Sequence, residues 1–371
     1  MELSSGAPAS RRLFAHFPWG ALALTAAIAA LGVWNLASAS RNGHAKLWLY
    51  QLVWLGAGLV AALLLTTWDY RKLIALAYPV YGFVILLLLG VMFHGKVVMG
   101  ARRWLDLGPV HLQPSELAKL AVIIVLARQF HDRPPPKGGY GLPRLLFPFA
   151  LILLPTALIM KQPDLGTALV VAAVGVTLCV FARIRTVTLV ALALCGAAGS
   201  VGAWRYSLKG YQKRRVETFL NPDGDALGAG YHANQSMIAV GSGQLTGKGW
   251  GQGTQTQLSF LPEQHTDFIF SVWAEEHGFL WCLLLLLLYL SLFIWTLVVA
   301  GQARERFGSY LAAGVAGMLF WQVFINIGMV TGVMPVVGVT LPLMSYGGSS
   351  LLTILLGLGL CWSVELRHNL F

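Results

Sequence analysis

A chain of 371 residues that is 57% hydrophobic and only 11% charged is not a soluble globular protein, in which about a quarter of the residues carry charge. The mean hydropathy of +0.68 agrees with a membrane protein. The formal net charge of +11 lies scattered between apolar runs; without a basic strip it argues against a nucleic-acid partner and suits residues that orient spans and meet anionic membrane lipid.

Ten apolar segments follow one another at about 18–39, 47–67, 73–93, 116–130, 145–160, 166–182, 187–204, 278–300, 309–332 and 349–366. A helical span needs roughly 20 residues, so the fourth and fifth are expected to tilt, to extend into their flanks or to re-enter the bilayer. The predicted fold is an all-α polytopic membrane protein of about ten transmembrane helices. It forms one membrane domain over 1–371, with a long extracytoplasmic loop at 205–267 that contains short helices. Arg11 and Arg12 precede the first run as in a signal peptide, but that run is long and many spans follow, so it reads as a retained span.

Lys and Arg in short loops set the orientation. With the N-terminus inside, thirteen basic residues fall on the cytoplasmic side, against six in the short outer loops, Arg41, Lys46, Lys96, Arg102, Arg103 and Lys161. Both termini are therefore expected in the cytoplasm and the 205–267 loop outside. The Pro/Gly-rich stretch 131–143 is then a cytoplasmic connector. In 207–220, Leu208, Tyr211, Val216 and Phe219 share a helical face beside Lys213, Arg214 and Arg215; this suits a helix on the membrane surface, a solvated loop helix being the alternative. Cys179, Cys195, Cys282 and Cys361 lie inside apolar runs with no metal-ligand or disulfide spacing and read as packing residues.

The stretch GSGQLTGKGWGQG at 241–253 fails the phosphate-loop pattern. Ser242 stands where the first glycine is needed, and Gly249 follows Lys248 where Ser or Thr is needed. Its glycines are expected to make tight turns, with Lys248 a candidate for an anionic head group. Ionisable residues within spans are functional candidates by default. Glu116 and Lys119 stand one turn apart at the start of the fourth span, as an i,i+3 ion pair or with Lys119 reaching Asp164 and leaving Glu116 free. Arg102 and Arg103 suit bidentate contact with phosphate, or meet lipid head groups. Trp104 could stack on a sugar or sit in the interfacial belt. Asp267 opens an apolar run, where an acid also serves as a helix cap. All of these map to one membrane level, the outer one, which suggests a site for a substrate that is part lipid and part polar and anionic.

The blocks QPSELAK (113–119), KQPDLGTAL (161–169), FLPEQHTDFIF (260–270), AEEHG (274–278) and LPLMSYGGSS (341–350) resemble the signature blocks of the SEDS family (shape, elongation, division and sporulation). These are polytopic membrane glycosyltransferases of peptidoglycan synthesis. The match runs from about residue 20 to the C-terminus, and the stretch ending in FLPEQHTDFIF is closer to the family's elongation member than to its division member. The resemblance implies a bacterial cytoplasmic membrane protein that polymerises lipid II into glycan strands on the outer face, for cell elongation and rod shape. It implies a class B penicillin-binding protein, a transpeptidase, as partner.

By the same resemblance Asp267 is the general base that takes the proton of the acceptor hydroxyl. Glu116 and Lys119 shape the cavity and orient substrate, Asp164 is a further candidate for substrate binding, and Trp104 faces a sugar. Arg102, Arg103 and Lys248 are the candidates for the pyrophosphate, with a divalent cation, Mg or Mn, as a candidate assistant. Ser345 and Tyr346 serve substrate contact or helix packing. Glu263, Glu275 and Glu276 receive no role. The alternatives are a lipid II flippase, a division-type polymerase of the same family, and a scaffold that only recruits a synthase.

Overall fold

The computed structural model describes residues 17–41, 46–98, 101–106, 108, 111–206, 210–220, 229–258, 260–261 and 263–370. Their helices are α1 (Trp19–Ala39), α2 (Leu47–Thr67), α3 (Lys72–His94), α4 (Pro114–Asp132), α5 (Leu142–Lys161), α6 (Leu165–Phe181), α7 (Thr186–Tyr206), α8 (Gly210–Leu220), α9 (Ala229–Ser242), α10 (Thr254–Gln257), α11 (Ile269–Gln302), α12 (Arg306–Val330) and α13 (Gly348–Leu370). Uncharged apolar runs become helices because a bilayer offers no partner for backbone N–H and C=O groups, and a helix satisfies them within itself. A helix stands at each of the ten expected runs. Seven of the described helices are long and apolar enough to cross a membrane: α1, α2, α3, α5, α11, α12 and α13. The other three runs fall short for different reasons. Helix α6 and the apolar part of α7 (Thr186–Gly196) are short, whereas α4 has 19 residues but carries Glu116, Lys119, Arg128 and Asp132.

Helix α4 is the central post. It packs against α3, α5, α6, α12 and α13 and is buried over most of its length, so its ionisable residues face protein, not lipid. Helices α12 and α13 are likewise mostly buried, while α2 and α3 keep most of their surface outward.

Two features depart from the expected all-helical plan. A small antiparallel sheet joins α3 to α4, with strands β1 (Lys96–Val98), β2 (Ala101–Asp106) and β3 (His111–Leu112) in that order; Arg102, Arg103 and Trp104 are strand residues. Helix α11 has 34 residues, about 51 Å of continuous helix at 1.5 Å per residue, well beyond a hydrocarbon core of about 30 Å. It is broken at Gly278 (φ 76°, ψ −174°), and the part beyond the break coincides with the expected span at 278–300.

In the 205–267 segment, α8, α9 and α10 are the expected short helices; Leu208 lies outside the described residues. Three cysteines are buried as packing residues, but Cys195 on α7 is exposed.

Candidate active site

The site is assembled where the starts of α4 and α6, the turn before α11 and the irregular segment before α13 meet. Asp164 is the N-cap of α6, accepting the Thr167 N–H at 3.3 Å. Its carboxylate also accepts Gln113 Nε2 at 3.1 Å and Ser115 Oγ at 3.3 Å, which ties α6 to the start of α4. Asp164 is only 3% exposed. One turn into α4, Lys119 Nζ donates to Glu116 Oε2 at 2.6 Å, and both are buried. Of the two acids the sequence offered it, Lys119 pairs with Glu116 within its own helix, while Asp164 accepts from its cap, Gln113 and Ser115. Two fully buried charges survive because each neutralises the other at hydrogen-bond distance.

Beside Asp164, Gly166 lets the chain between α12 and α13 come close: a Cβ there would stand 2.6 Å from Val337 O and 2.7 Å from Gly338 O. On its other side, Gly338 meets Asp267, whose Oδ2 would lie 3.1 Å from a Cβ at that position. Asp267 is thus linked through Gly338 and Gly166 to the Asp164 cluster.

The backbone around Asp267 is stapled at three successive carbonyls. Tyr346 N–H donates to His265 O at 2.9 Å, Ser345 Oγ to Thr266 O at 2.6 Å, and Asn326 Nδ2 to Asp267 O at 2.9 Å. Asn326 also donates to Val339 O at 2.6 Å, so one amide from α12 holds both sides of the site. The N-cap of α11 is Phe268, one residue past Asp267. Asp267 itself is half-buried.

On β2, Arg103 donates to Gln162 O at 3.4 Å and, more closely, to Pro163 O. These carbonyl bonds tie β2 to the turn that precedes Asp164. Arg102 is exposed and Trp104 half-buried. Tyr346 is half-buried, 6.4 Å from the His265 ring centroid; burial and the nearby Tyr50 push its phenol up from its ordinary value, so it stays protonated at neutral pH. Among the described residues no group of three or more His, Cys, Asp or Glu side chains could hold a metal ion.

With this geometry defined, known proteins give its context. The FtsW/RodA/SpoVE cell cycle protein model matches residues 14–369. The chain belongs to the FtsW/RodA/SpoVE family. Among its SEDS relatives, the peptidoglycan glycosyltransferase MrdB of Escherichia coli (strain K12) is 46% identical over 294 residues, 78% of each chain. The peptidoglycan glycosyltransferase RodA of Treponema pallidum (strain Nichols) is 32% identical over 92% of this chain and 96% of its own. Of solved structures, a chain from a peptidoglycan synthase complex that coordinates polymerization and crosslinking superposes with a TM-score of 0.81 at 38% identity, covering 95% of this chain and 98% of that one. The rod shape determining protein RodA of Thermus thermophilus gives 0.70 at 36% identity, covering 95% and 97%.

Within this SEDS fold the candidate residues sort by accessibility. Glu116, Lys119, Asp164 and Ser345 are buried and bond to the protein itself. Asp267, Arg102, Arg103, Trp104, Tyr346 and Lys248 keep surface. Lys248 does not stand over the Asp267 cluster with a spare charge: its ammonium donates to Glu275 Oε1 at 2.7 Å and Thr254 Oγ1 at 2.8 Å. Glu275, left without a role by the sequence, thereby becomes Lys248's counter-charge. Also missed were Gln113, Ser115, Asn326 and Gly338. Asn326 had a signal: with Gln322 it is one of two amides in a mostly apolar span, where a polar side chain must find a partner.

Proposed function

We propose that this chain is a RodA-type peptidoglycan glycosyltransferase that polymerises lipid II on the outer face of a bacterial cytoplasmic membrane. Relatives named for that activity support it at 46% identity. The observation that carries the mechanism is the Asp267 carboxylate, half-buried on a backbone stapled at His265, Thr266 and Asp267 itself.

Asp267 takes the proton of the acceptor sugar's 4-hydroxyl as that oxygen attacks the anomeric carbon of the donor. The new glycosidic bond forms as the bond to pyrophosphate breaks, and the electron pair leaves with the phosphate. One displacement turns an α-linked donor into a β-linked strand. Pyrophosphate is a good leaving group, so no second carboxylic acid is needed to protonate it. Arg102 and Arg103 offset its charge, and preorganised donors do this without reorganisation cost during the step. Trp104 and Tyr346 flank the sugars. Glu116, Lys119, Asp164 and Ser345 keep the walls in place. Lys248 acts through Glu275 and not on the phosphate.

The excess of thirteen basic residues over six supports both termini in the cytoplasm, with the 205–267 segment and the site outside. The chain acts as one membrane domain. A class B penicillin-binding protein, which crosslinks the strands made here, is the proposed partner; a structural relative from a complex that couples polymerization and crosslinking supports it. The test is a lipid II polymerisation assay on purified protein, with and without that partner, for wild type and Asp267→Asn. Glycan strands from wild type and none from Asp267→Asn are expected. Polymer from both at equal rate would remove Asp267 from the reaction, and transfer of labelled lipid II across vesicles without polymer would make the protein a flippase.

A further inference from the structure

The break in α11 has a specific partner. In an unbroken helix each N–H donates to the carbonyl four residues earlier, so Phe279 would bond Glu275 O and Leu280 would bond Glu276 O. Here both bonds are exchanged for bonds to the glycine-rich loop. Phe279 N–H donates to Gln244 O at 2.8 Å and Leu280 N–H to Leu245 O at 3.2 Å. The two freed carbonyls are taken by the same loop: Lys248 N–H donates to Glu275 O at 3.0 Å and Gly249 N–H to Glu276 O at 2.9 Å. Four helix groups are lost to the helix and four are recovered from residues 244–249.

Side chains reinforce the exchange. Glu275, 0% exposed, accepts from Lys248 Nζ at 2.7 Å, Thr254 Oγ1 at 3.1 Å, Gln255 N–H at 3.0 Å, Thr256 Oγ1 at 3.2 Å and Thr256 N–H at 3.4 Å. Glu276 Oε1 accepts Ser38 Oγ at 2.6 Å, anchoring the same turn to α1. The crossing needs glycine at Gly278, whose φ of 76° and ψ of −174° fall in a region essentially reserved for glycine. A Cβ there would stand 2.2 Å from Gly247 N.

Two arrangements therefore satisfy the same four helix groups: a straight α11 with the loop detached, and a broken α11 with the loop docked. They differ in where the first part of α11 points, and Asp267 stands two residues before that part begins. A straight helix would carry residues 269–277 on along the axis of the span, away from the staples that Ser345, Tyr346 and Asn326 supply. We propose that loop 244–256, with Glu275 as its central acceptor, is a positioning element that sets Asp267 for reaction by holding the break in α11 open. The proposal rests on the reaction assigned above and adds Glu275, Lys248 and Gly278 to it as positioning residues.

The experiment combines lipid II polymerisation kinetics with hydrogen exchange on the full-length protein in lipid nanodiscs, for wild type, Gly278→Ala and Glu275→Gln. In Gly278→Ala, exchange should rise over 244–256 while α12 and α13 stay protected, and kcat should fall roughly a hundredfold with KM within about twofold, as a misplacement of about 1 Å can do. Glu275→Gln keeps an acceptor oxygen but loses the charge, so it should fall between Gly278→Ala and wild type on both readouts. It carries the same test if Gly278→Ala does not fold. A released loop with unchanged kcat overturns the proposal, and so does a lowered kcat with a fully protected loop. Exchange that rises equally across α12 and α13 assigns these residues to general stability and also overturns it. A wild type that makes no glycan overturns the assigned reaction instead, and the exchange arm alone then decides whether the loop holds the break.

Discussion

Two aspartates open apolar helices in this protein. Asp164 is the N-cap of α6, buried, with Thr167, Gln113 and Ser115 donating to its carboxylate. Asp267 precedes the N-cap of α11, which is Phe268; there the carbonyls of the turn take the staples and the side chain stays half-buried beside Gly338. An acid whose carboxylate is spent on its own fold holds structure together. Around the other acid, the staples fall on the backbone carbonyls of the turn. The same contrast divides the arginines and lysines: Lys119 is paired with Glu116 inside α4, while among the described residues Arg103 donates to the carbonyls of Gln162 and Pro163.

The largest expected effect is on the Asp267 side of this contrast. Asp267→Asn should lower polymerisation by about 10²–10⁴, the usual contribution of a general base, with the melting temperature in detergent unchanged. A mutant that unfolds instead would make Asp267 a structural acid like Asp164. Next, Lys119→Met leaves Glu116 buried without its counter-charge and should destabilise by about 3–5 kcal/mol. Combining it with Glu116→Gln should recover much of that loss, which chemical denaturation of the two variants would detect.

Asp164→Ala removes a cap, worth about 0.5–2 kcal/mol, and leaves Gln113 and Ser115 without their acceptor. Thermal unfolding should shift down, while the rate per folded molecule stays near wild type. A selective loss of rate would instead give Asp164 a part in the reaction. The smallest effect is expected at the exposed Arg102. Arg102→Ala should lower kcat/KM for lipid II about tenfold, the scale of a hydrogen bond to a charged group at about 1.5–3 kcal/mol, with part of the loss in kcat; steady-state kinetics would show it.

Much of this was legible in the residues. The ten apolar runs could only become helices in lipid, and Glu116, Lys119, Asp164 and Asp267 stood out because charge inside an apolar run is expensive. Pairing was not legible. Lys119 had two acids within plausible reach, and only the structure places it on Glu116, with Gln113, Ser115 and the α6 cap on Asp164. Glu275 looked like one more acid in AEEHG; its role depends on Lys248 and the Thr254–Thr256 turn, brought to it from the preceding segment.

The sequence by itself determined that the chain lives in a membrane, where its helices lie, and that it belongs with the FtsW/RodA/SpoVE proteins, because hydropathy and short motifs are local properties. Only the tertiary structure decided which partners the acids take: Asp164 its cap, Gln113 and Ser115, Glu116 its Lys119, and Glu275 its Lys248. It also decided that α11 breaks at Gly278 and not earlier or later. Hydrogen bonds and ion pairs are short-ranged: a carboxylate or carbonyl accepts only from donors brought within about 3 Å, and which donors arrive is settled by packing between segments far apart in the chain.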